Sequence, residues 1–405
     1  MLFKLKIYGE VSMNIPISKP YFDDEDKKGI LEPLESGWVV QGPKVNAFEK
    51  KIVDFTKSKF AIATSNCTTA LHLGLVALGI QRGDKVIVPS FTYVASANAI
   101  EYIGATPIFC DIDLKTFNID IQQLIKIIEE QKDIKAIMPI NLFGLCTDMI
   151  KIMEIAKKYN LKIIEDSACG FDSWIKDKHS GTFGDCGCFS FHPRKAITTG
   201  EGGMLITDRE EIALRVKMLR DHGAGKSDLQ RHNDKNGFLL PNFDVLGYNY
   251  RMTDLQGALG NSQMDKAQDI MQKRRSIAKR YDSALLGIEQ LILPSAPKGY
   301  IHGYQSYVCI FGGKESLKSH NIQIIDSISE KRNLFMRELS NKGIATRQGS
   351  HAVHTLGYYK NKYHIAEKDY LQSYKADRLS VSLPLYPQMT EMELEYVIKT
   401  IKEIL

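Results

Sequence analysis

A single lysine stands between an apolar segment and a glycine-rich turn. Lys195 follows the apolar residues 186–191, and the sequence T-T-G-E-G-G comes soon after it, at residues 198–203. An amine held at such a junction can form a Schiff base with an aldehyde cofactor. The alternative is an ordinary surface lysine with a solvated charge, because most lysines are exposed. Taken alone, this segment leaves both interpretations open.

An acidic residue ends a second apolar segment. Residues 162–165 have the pattern of a short buried strand, and Asp166 stands at its end. A carboxylate in that place can keep a pyridine nitrogen protonated, which makes a pyridoxal ring an electron sink. The alternative is an aspartate that caps the following helix.

Small polar residues lie where a third strand meets a helix. Thr68 and Thr69 follow Cys67 at this junction, and the N–H groups of a helix N-terminus bind phosphate well. A plain helix cap is the alternative. Tyr93 comes just after a fourth strand and could stack on a flat cofactor, although tyrosines more often serve in core packing.

Apolar strands alternate with helices over the first two thirds of the chain. Strands are predicted at residues 61–64, 85–88, 106–110, 134–139 and 162–165, with helices at 45–56, 68–78, 119–130 and 149–158. This alternation predicts a doubly wound, mostly parallel α/β sheet that binds ligands at the carboxyl ends of its strands. Residues 221–242 predict a long mobile loop, and residues 253–286 a long helical segment. A strand at 307–311 and helices at 329–342 and 390–404 predict a smaller α+β part.

The order of these four features resembles the DegT/StrS-type sugar aminotransferases, enzymes that use pyridoxal 5'-phosphate (PLP) and have the aspartate-aminotransferase fold (PLP fold type I). The resemblance extends from I-P-I-S-K-P at residues 15–20 to L-P-L-Y-P at 383–387, and the lysine segment with T-G-E-G-G is its most specific part. It implies a PLP-binding large domain at residues 13–260 and a smaller C-terminal α+β domain at 261–405. Residues 1–12 would then be an extension, since Met13 could also start the protein.

The resemblance also implies a role for each candidate residue. Lys195 would be the catalytic Schiff-base lysine, Asp166 would partner the pyridine nitrogen, and Tyr93 would stack on the ring. The phosphate would be bound by Thr68, Thr69 and Ser190. Asn249, in G-Y-N-Y-R-M at 247–252, would reach the phosphate of a neighbouring subunit, which implies a homodimer with shared active sites.

Two positions depart from the family pattern. Cys169 stands where the family often has Gln, so the contact of that Gln to the phenolic side of the cofactor is left open here. Cys67 stands in N-C-T where the family commonly has S-G-T, and both cysteines are expected in the cofactor site. A branch of the family replaces the lysine with His and performs dehydration. Lys195 therefore favours transamination, and His192 is expected to be a pocket-wall residue.

The implied reaction moves an amino group from L-glutamate to a nucleotide-linked 4-keto-6-deoxy sugar, for surface polysaccharide such as O-antigen. Arg347 is a candidate partner of the pyrophosphate, as are Lys226 and Arg231, and an ordinary surface charge is the alternative for each. His351 and His354 flank the substrate-side loop, which leaves open whether they line the site. Two rival functions are a PLP-dependent sugar dehydratase and a non-catalytic PLP-family sensor or binding protein.

Composition limits the class and the compartment. The 405 residues include 43% hydrophobic and 25% charged residues, and this ordinary balance excludes extensive disorder. A net charge of +5 is too small to indicate nucleic-acid binding. The seven cysteines have no metal-ligand spacing and suggest free thiols in a reducing cytoplasm. No apolar run is long enough for membrane insertion.

Overall fold

The structure is a computed structural model that describes residues 13–236 and 238–405. The extension predicted for residues 1–12 lies outside these ranges. The first helices are α1 (Asp24–Ser36), α2 (Pro43–Thr56), α3 (Cys67–Ala77), α4 (Ala95–Tyr102), α5 (Ile121–Glu130), α6 (Met149–Tyr159), α7 (Glu210–Leu219) and α8 (Asp228–His232). The later helices are α9 (Asp254–Asp265), α10 (Ala267–Leu285), α11 (Gly313–Lys318), α12 (Ile322–Asn341), α13 (Gly357–Tyr363), α14 (Leu371–Leu379) and α15 (Glu391–Ile404).

Seven strands form the main sheet, and six of them are parallel. In chain order the strands are β1 (Phe60–Thr64), β2 (Lys85–Pro89), β3 (Phe91–Thr92), β4 (Thr106–Cys110), β5 (Ile112–Asp113), β6 (Asn118–Ile119), β7 (Ile134–Ile137), β8 (Lys162–Asp166), β9 (Trp174–Ile175), β10 (Lys178–His179), β11 (Cys186–Ser190) and β12 (Gly203–Thr207). The order across the sheet is β1-β12-β11-β8-β7-β2-β4, and β12 runs opposite to its neighbours. The predicted mostly parallel α/β sheet is therefore confirmed.

Helix α3 crosses the middle of this sheet and explains its apolar composition. Seven of its eleven residues are buried, because both the sheet and the surrounding helices cover it. Gly74 lets the helix approach closely: a Cβ there would lie 2.6 Å from the Ile164 side chain of β8. The close packing of α3 brings its N-terminus to the carboxyl ends of the parallel strands.

A second, antiparallel sheet lies in the C-terminal part of the chain. The remaining strands are β13 (Leu291–Ile292), β14 (Tyr300–Ile301), β15 (Tyr307–Phe311), β16 (His351–Ala352) and β17 (Ser380–Leu383), of which β13, β15 and β17 form this sheet. The beginning of the described range bonds segments that flank this sheet, since Ile15 pairs with Ile344 and the N–H of Leu385 donates to the carbonyl of Ile17. The division into domains at residues 13–260 and 261–405 stays a prediction.

Two sequence-based expectations change in detail. The helical segment predicted at 253–286 is two helices, α9 and α10, that meet at Lys266, where the backbone leaves the helical region (φ −110°, ψ 9°). The predicted loop at 221–242 contains the short helix α8. No helix among residues 13–236 and 238–405 is both long and apolar enough to span a membrane.

Candidate active site

The N-terminus of α3 presents two unused backbone donors. Asn66 caps this helix: its side chain accepts from the N–H of Thr69 at 2.9 Å, while Thr69 Oγ1 accepts from the N–H of Asn66 at 3.3 Å. Within the described part of the chain, the N–H groups of Cys67 and Thr68 donate no hydrogen bond. They line a cavity of about 890 Å³ and give it a positive end. The arrangement suits a bound phosphate.

Strand pairing brings Ser190 and Gly203 beside this helix end. The two residues are opposite each other in β11 and β12, and Ser190 lines the cavity. A Cβ on Gly203 would lie 2.3 Å from the carbonyl of Asn66, so only glycine fits there. The structure thus brings Thr68, Thr69 and Ser190 together, although the Thr69 hydroxyl is already used in the cap, where it donates to the Asn66 carbonyl.

Asp166 is a buried carboxylate at the end of β8. It is 5% exposed and accepts from Ser96 Oγ at 2.7 Å and from the N–H of Ala168 at 3.0 Å. Burial raises its pKa, which the two hydrogen bonds and the nearby Lys195 partly oppose. A cationic ring nitrogen would offset this burial cost.

Lys195 contacts the Cys169 thiol, and the Gln305 amide bonds the backbone on both sides of the lysine. Its Nζ lies 3.2 Å from Sγ of Cys169, and both residues line the cavity. The side chain of Gln305 bonds both neighbouring peptide groups: its Nε2 donates to the Arg194 carbonyl at 2.7 Å, and its Oε1 accepts from the N–H of Ala196 at 3.2 Å. The lysine amine therefore points into the cavity from a held turn.

Tyr93 stands at the open side of the cavity. It follows β3 and is 65% exposed, so its ring is free to cover a flat ligand. His351 is beside it, because β16 pairs with β3 through His351 and Thr92.

The cavity has a cationic rim. Arg194 and Arg347 line it, and neither makes an ion pair with any residue in the described ranges. Burial and the charge of Arg194 lower the pKa of Arg347. His192 also lines the cavity, 4.0 Å from the Glu201 carboxylate, and burial lowers its pKa. Unpaired guanidinium groups of this kind bind phosphate or carboxylate.

The structure places four of the predicted residues away from the cavity. His354 is fully buried, with Nδ1 2.6 Å from Ser90 Oγ, so burial lowers its pKa to about 4 and it cannot line the site. Lys226 and Arg231 form ion pairs with Asp234 and Asp228 inside their own loop. Asn249 is exposed and lies outside the cavity wall of its own chain.

The sequence does not predict two of the residues that contact Asp166 or the turn of Lys195. Ser96 follows Tyr93 by three residues, in the first turn of α4, and this closeness to a candidate cofactor residue is the feature that could have indicated it. No sequence pattern indicates Gln305, because its hydrogen-bond partners are more than 100 residues away in the chain.

The residues present fit PLP. Two free N–H groups and Ser190 suit its phosphate, buried Asp166 suits its ring nitrogen, and Lys195 suits its aldehyde. No cluster of three or more His, Cys, Asp or Glu residues in the described ranges could hold a metal ion.

Comparison with known proteins agrees with this geometry. Residues 20–402 match the DegT/DnrJ/EryC1/StrS aminotransferase family. The GDP-perosamine synthase of Escherichia coli O157:H7 is 35% identical over 390 residues, which is 96% of this chain and 98% of that protein. The spore coat polysaccharide biosynthesis protein SpsC of Bacillus subtilis is also 35% identical over 390 residues, 96% of this chain and 97% of that protein.

A solved structure has the same fold. The putative sugar aminotransferase Spr1654 from Streptococcus pneumoniae, in its PMP-form, superposes with a TM-score of 0.86 and 28% identity, over 96% of this chain and 99% of that chain. The expected PLP fold type I is confirmed. The chain belongs to the DegT/DnrJ/EryC1/StrS aminotransferase family and is a PLP-dependent aminotransferase.

Proposed function

We propose that the chain transfers the amino group of L-glutamate to a GDP-linked 4-keto-6-deoxyhexose, as a step towards a surface polysaccharide such as O-antigen. The observation that carries this proposal is the cationic rim, Arg194 and Arg347, next to Lys195 in a cavity of about 890 Å³. That volume is near the upper end of the ~300–1,000 Å³ typical of ligand pockets, enough for a cofactor and a sugar together. The similarity to GDP-perosamine synthases over almost the full chain supports the guanosine carrier and the 4-keto position.

Each residue has a defined task in this reaction. PLP supplies an aldehyde that takes up the amino group and a ring that withdraws electrons. Lys195 Nζ moves the proton to and from the α-carbon of L-glutamate, and later the proton at the sugar C4. Asp166 holds a proton on the ring nitrogen, and Ser96 orients Asp166 through its 2.7 Å hydrogen bond. Arg347 and Arg194 bind the pyrophosphate of the nucleotide-sugar, and His192 and His351 form the wall beside them.

A homodimer in the cytoplasm completes the proposal. Residues 238–246 expose several apolar side chains, and Phe238, Leu240 and Leu246 are each more than 80% exposed. A surface this apolar is suited to a partner chain. Asn249 follows directly and is exposed, so a second copy covering this segment could receive it at its own phosphate site.

The proposed function is tested by following the amino nitrogen from donor to product. Purified protein is mixed with ¹⁵N-labelled L-glutamate and, in separate reactions, with GDP-, UDP- and dTDP-linked 4-keto-6-deoxy sugars. We expect ¹⁵N in the sugar product of the GDP reaction and none with Lys195→Ala, while the surface variant Lys57→Ala keeps its rate. Transfer to no sugar would reject the proposal, and dehydration without nitrogen transfer would favour the dehydratase.

The shared site is tested by mixing two inactive variants. Lys195→Ala and Asn249→Ala chains are co-refolded, so that a mixed dimer has one site with both native residues. Recovered turnover supports Asn249 acting across the interface. Inactive mixtures, or a monomer by light scattering, would contradict it.

A further inference from the structure

The side chain of Gln305 both donates and accepts a hydrogen bond at the turn that carries Lys195. One face of the turn offers a carbonyl, from Arg194, and an N–H, from Ala196, on either side of Lys195. A primary amide can accept and donate at once, because its oxygen and nitrogen are on the same planar carbon. Neither backbone group has another hydrogen-bond partner within the described residues.

The rest of the turn leaves Lys195 dependent on this contact. The N–H of Lys195 donates to the His192 carbonyl at 2.8 Å, and the N–H of Thr199 to the Phe191 carbonyl at 3.0 Å. These bonds close the turn at its two ends. The first of them also holds the peptide between Arg194 and Lys195 through its N–H. Within the described residues, the carbonyl of Arg194 and the N–H of Ala196 bond only Gln305, so its loss would loosen the backbone that carries Nζ.

The backbone of Gln305 is held in turn by the buried Arg274. Arg274 of α10 is 3% exposed, and its guanidinium donates to the Gln305 carbonyl at 2.8 Å and twice to the Tyr304 carbonyl, at 3.0 and 3.1 Å. Burial lowers the pKa of Arg274 to about 10, which leaves it charged at neutral pH. Charge-assisted bonds to two successive carbonyls fix the backbone of Gln305.

We propose that Gln305 is a positioning residue that sets where Lys195 Nζ stands relative to the cofactor. The chain of contacts runs from Arg274 to the backbone of Gln305, and from the Gln305 amide to the two peptides around Lys195. It links the segment between α10 and β15 to the reacting amine. This inference rests on the proposed role of Lys195.

The test compares Gln305→Ala and Gln305→Glu with the native protein. In the cofactor-free protein, hydrogen exchange at the Ala196 amide should accelerate at least tenfold in Gln305→Ala and stay slow in Gln305→Glu, which keeps an acceptor. In the loaded enzyme, we expect kcat to fall about 10–100-fold in Gln305→Ala with KM changed less than about threefold, because misplaced groups lose rate rather than binding. The pH dependence of the visible absorbance band of the bound cofactor should shift as well.

A matched control separates this role from a structural one. Gln290→Ala removes an exposed amide that bonds the carbonyl of Leu405, far from the site, and should leave every readout unchanged. Unchanged exchange at Ala196, or a lower melting temperature with a native kcat and absorbance profile, would overturn the proposal. A Lys195→Ala protein with normal turnover would instead reject the lysine's role, and the exchange result would still report on the contact.

Discussion

Nζ of Lys195 lies 3.2 Å from Sγ of Cys169, so the amine that we propose to react has a thiol as its neighbour. The other six cysteines are buried, and Cys169 alone among the seven is half-exposed. Buried thiols are inert to alkylation, because the reagent cannot reach them. Of the two cysteines that line the cavity, Cys67 is buried, so Cys169 is the accessible one and lies beside the amine that we propose to react.

Alkylation should therefore be selective. We expect one equivalent of N-ethylmaleimide to add per native, cofactor-free chain, at Cys169, and this adduct to block PLP binding because it fills the space beside Lys195. Saturation with PLP should slow the reaction at least tenfold. Peptide mass spectrometry locates the adduct, and Cys169→Ser is the control that should take up none. Labelling at a buried cysteine, or PLP binding to the labelled chain, would contradict this prediction.

Ser96→Ala should weaken cofactor binding without unfolding the protein. The variant removes the 2.7 Å hydrogen bond to Asp166, and the pKa of that carboxyl should rise further because one bond that lowers it is lost. A hydrogen bond to a charged group contributes roughly 1.5–3 kcal/mol, so the Kd for PLP should rise about tenfold or more. Absorbance titration of the cofactor-free protein measures it. Ser283→Ala, on the surface of α10, is the control, and an unchanged Kd in Ser96→Ala would refute the contact's importance.

Glu165→Ala should destabilise the fold. This fully buried carboxylate accepts from the N–H groups of Gly181, Phe183 and Gly184 at 2.7–2.9 Å, and from Asn141 Nδ2 at 3.2 Å. Removing it leaves several donors unpaired, at a cost of about 3 kcal/mol in the free energy of unfolding. Guanidinium unfolding checks the value. Glu165→Gln, which keeps one acceptor oxygen, should lose less, and equal stabilities of the three proteins would contradict the expectation.

Acid should weaken the fold below about pH 6.5 through buried histidines. Burial lowers the pKa of His354 to about 4, against an unfolded value of 6.5, in surroundings that include Ser90, Lys360, Asp369 and the Glu367 carbonyl. Between these pH values the unfolded chain binds the proton and the folded one does not. Stability is therefore complete above pH 6.5 and falls as the pH drops towards 4, by about 1.4 kcal/mol per unit for each such residue.

The variant His354→Gln isolates this contribution. Between pH 7 and pH 5 the native protein should lose about 2 kcal/mol more of its unfolding free energy than the variant does. Chemical denaturation at the two pH values measures both losses. Identical losses in the two proteins would show that His354 does not carry the effect. His302, whose pKa burial lowers to about 3, should leave part of the acid sensitivity in the variant.

The sequence predicts the sheet well because the signals for it are local. Apolar runs such as that before Asp166 alternate with helices, and parallel strands necessarily direct their carboxyl ends to one edge. This shared edge predicts that Lys195, Asp166, Tyr93 and the α3 terminus lie close together, and in the structure all four line one cavity. Their roles stay predictions.

Contacts between distant segments could not be predicted. Ser96 meets Asp166 across 70 residues, and Gln305 meets Ala196 across 109. The sequence predicts that His354 flanks the substrate-side loop together with His351. The 3₁₀ turn Val353–Thr355 directs it inward to Ser90 instead, while His351 stays at the cavity. A difference of three residues thus separates a wall residue from a core residue, and only the tertiary structure decides it.

The pairing of Ile15 with Ile344 has a consequence for synthesis of the chain. The cavity is lined both by Ser18, three residues after Ile15, and by Leu385, which lies well beyond Ile344 in the chain. Because domains fold as units while the ribosome proceeds from the N-terminus, the nascent chain can form its parallel sheet early but lacks a complete cavity wall until residue 385 has emerged. We therefore expect PLP to bind only once residue 385 has emerged, and not to the nascent parallel sheet.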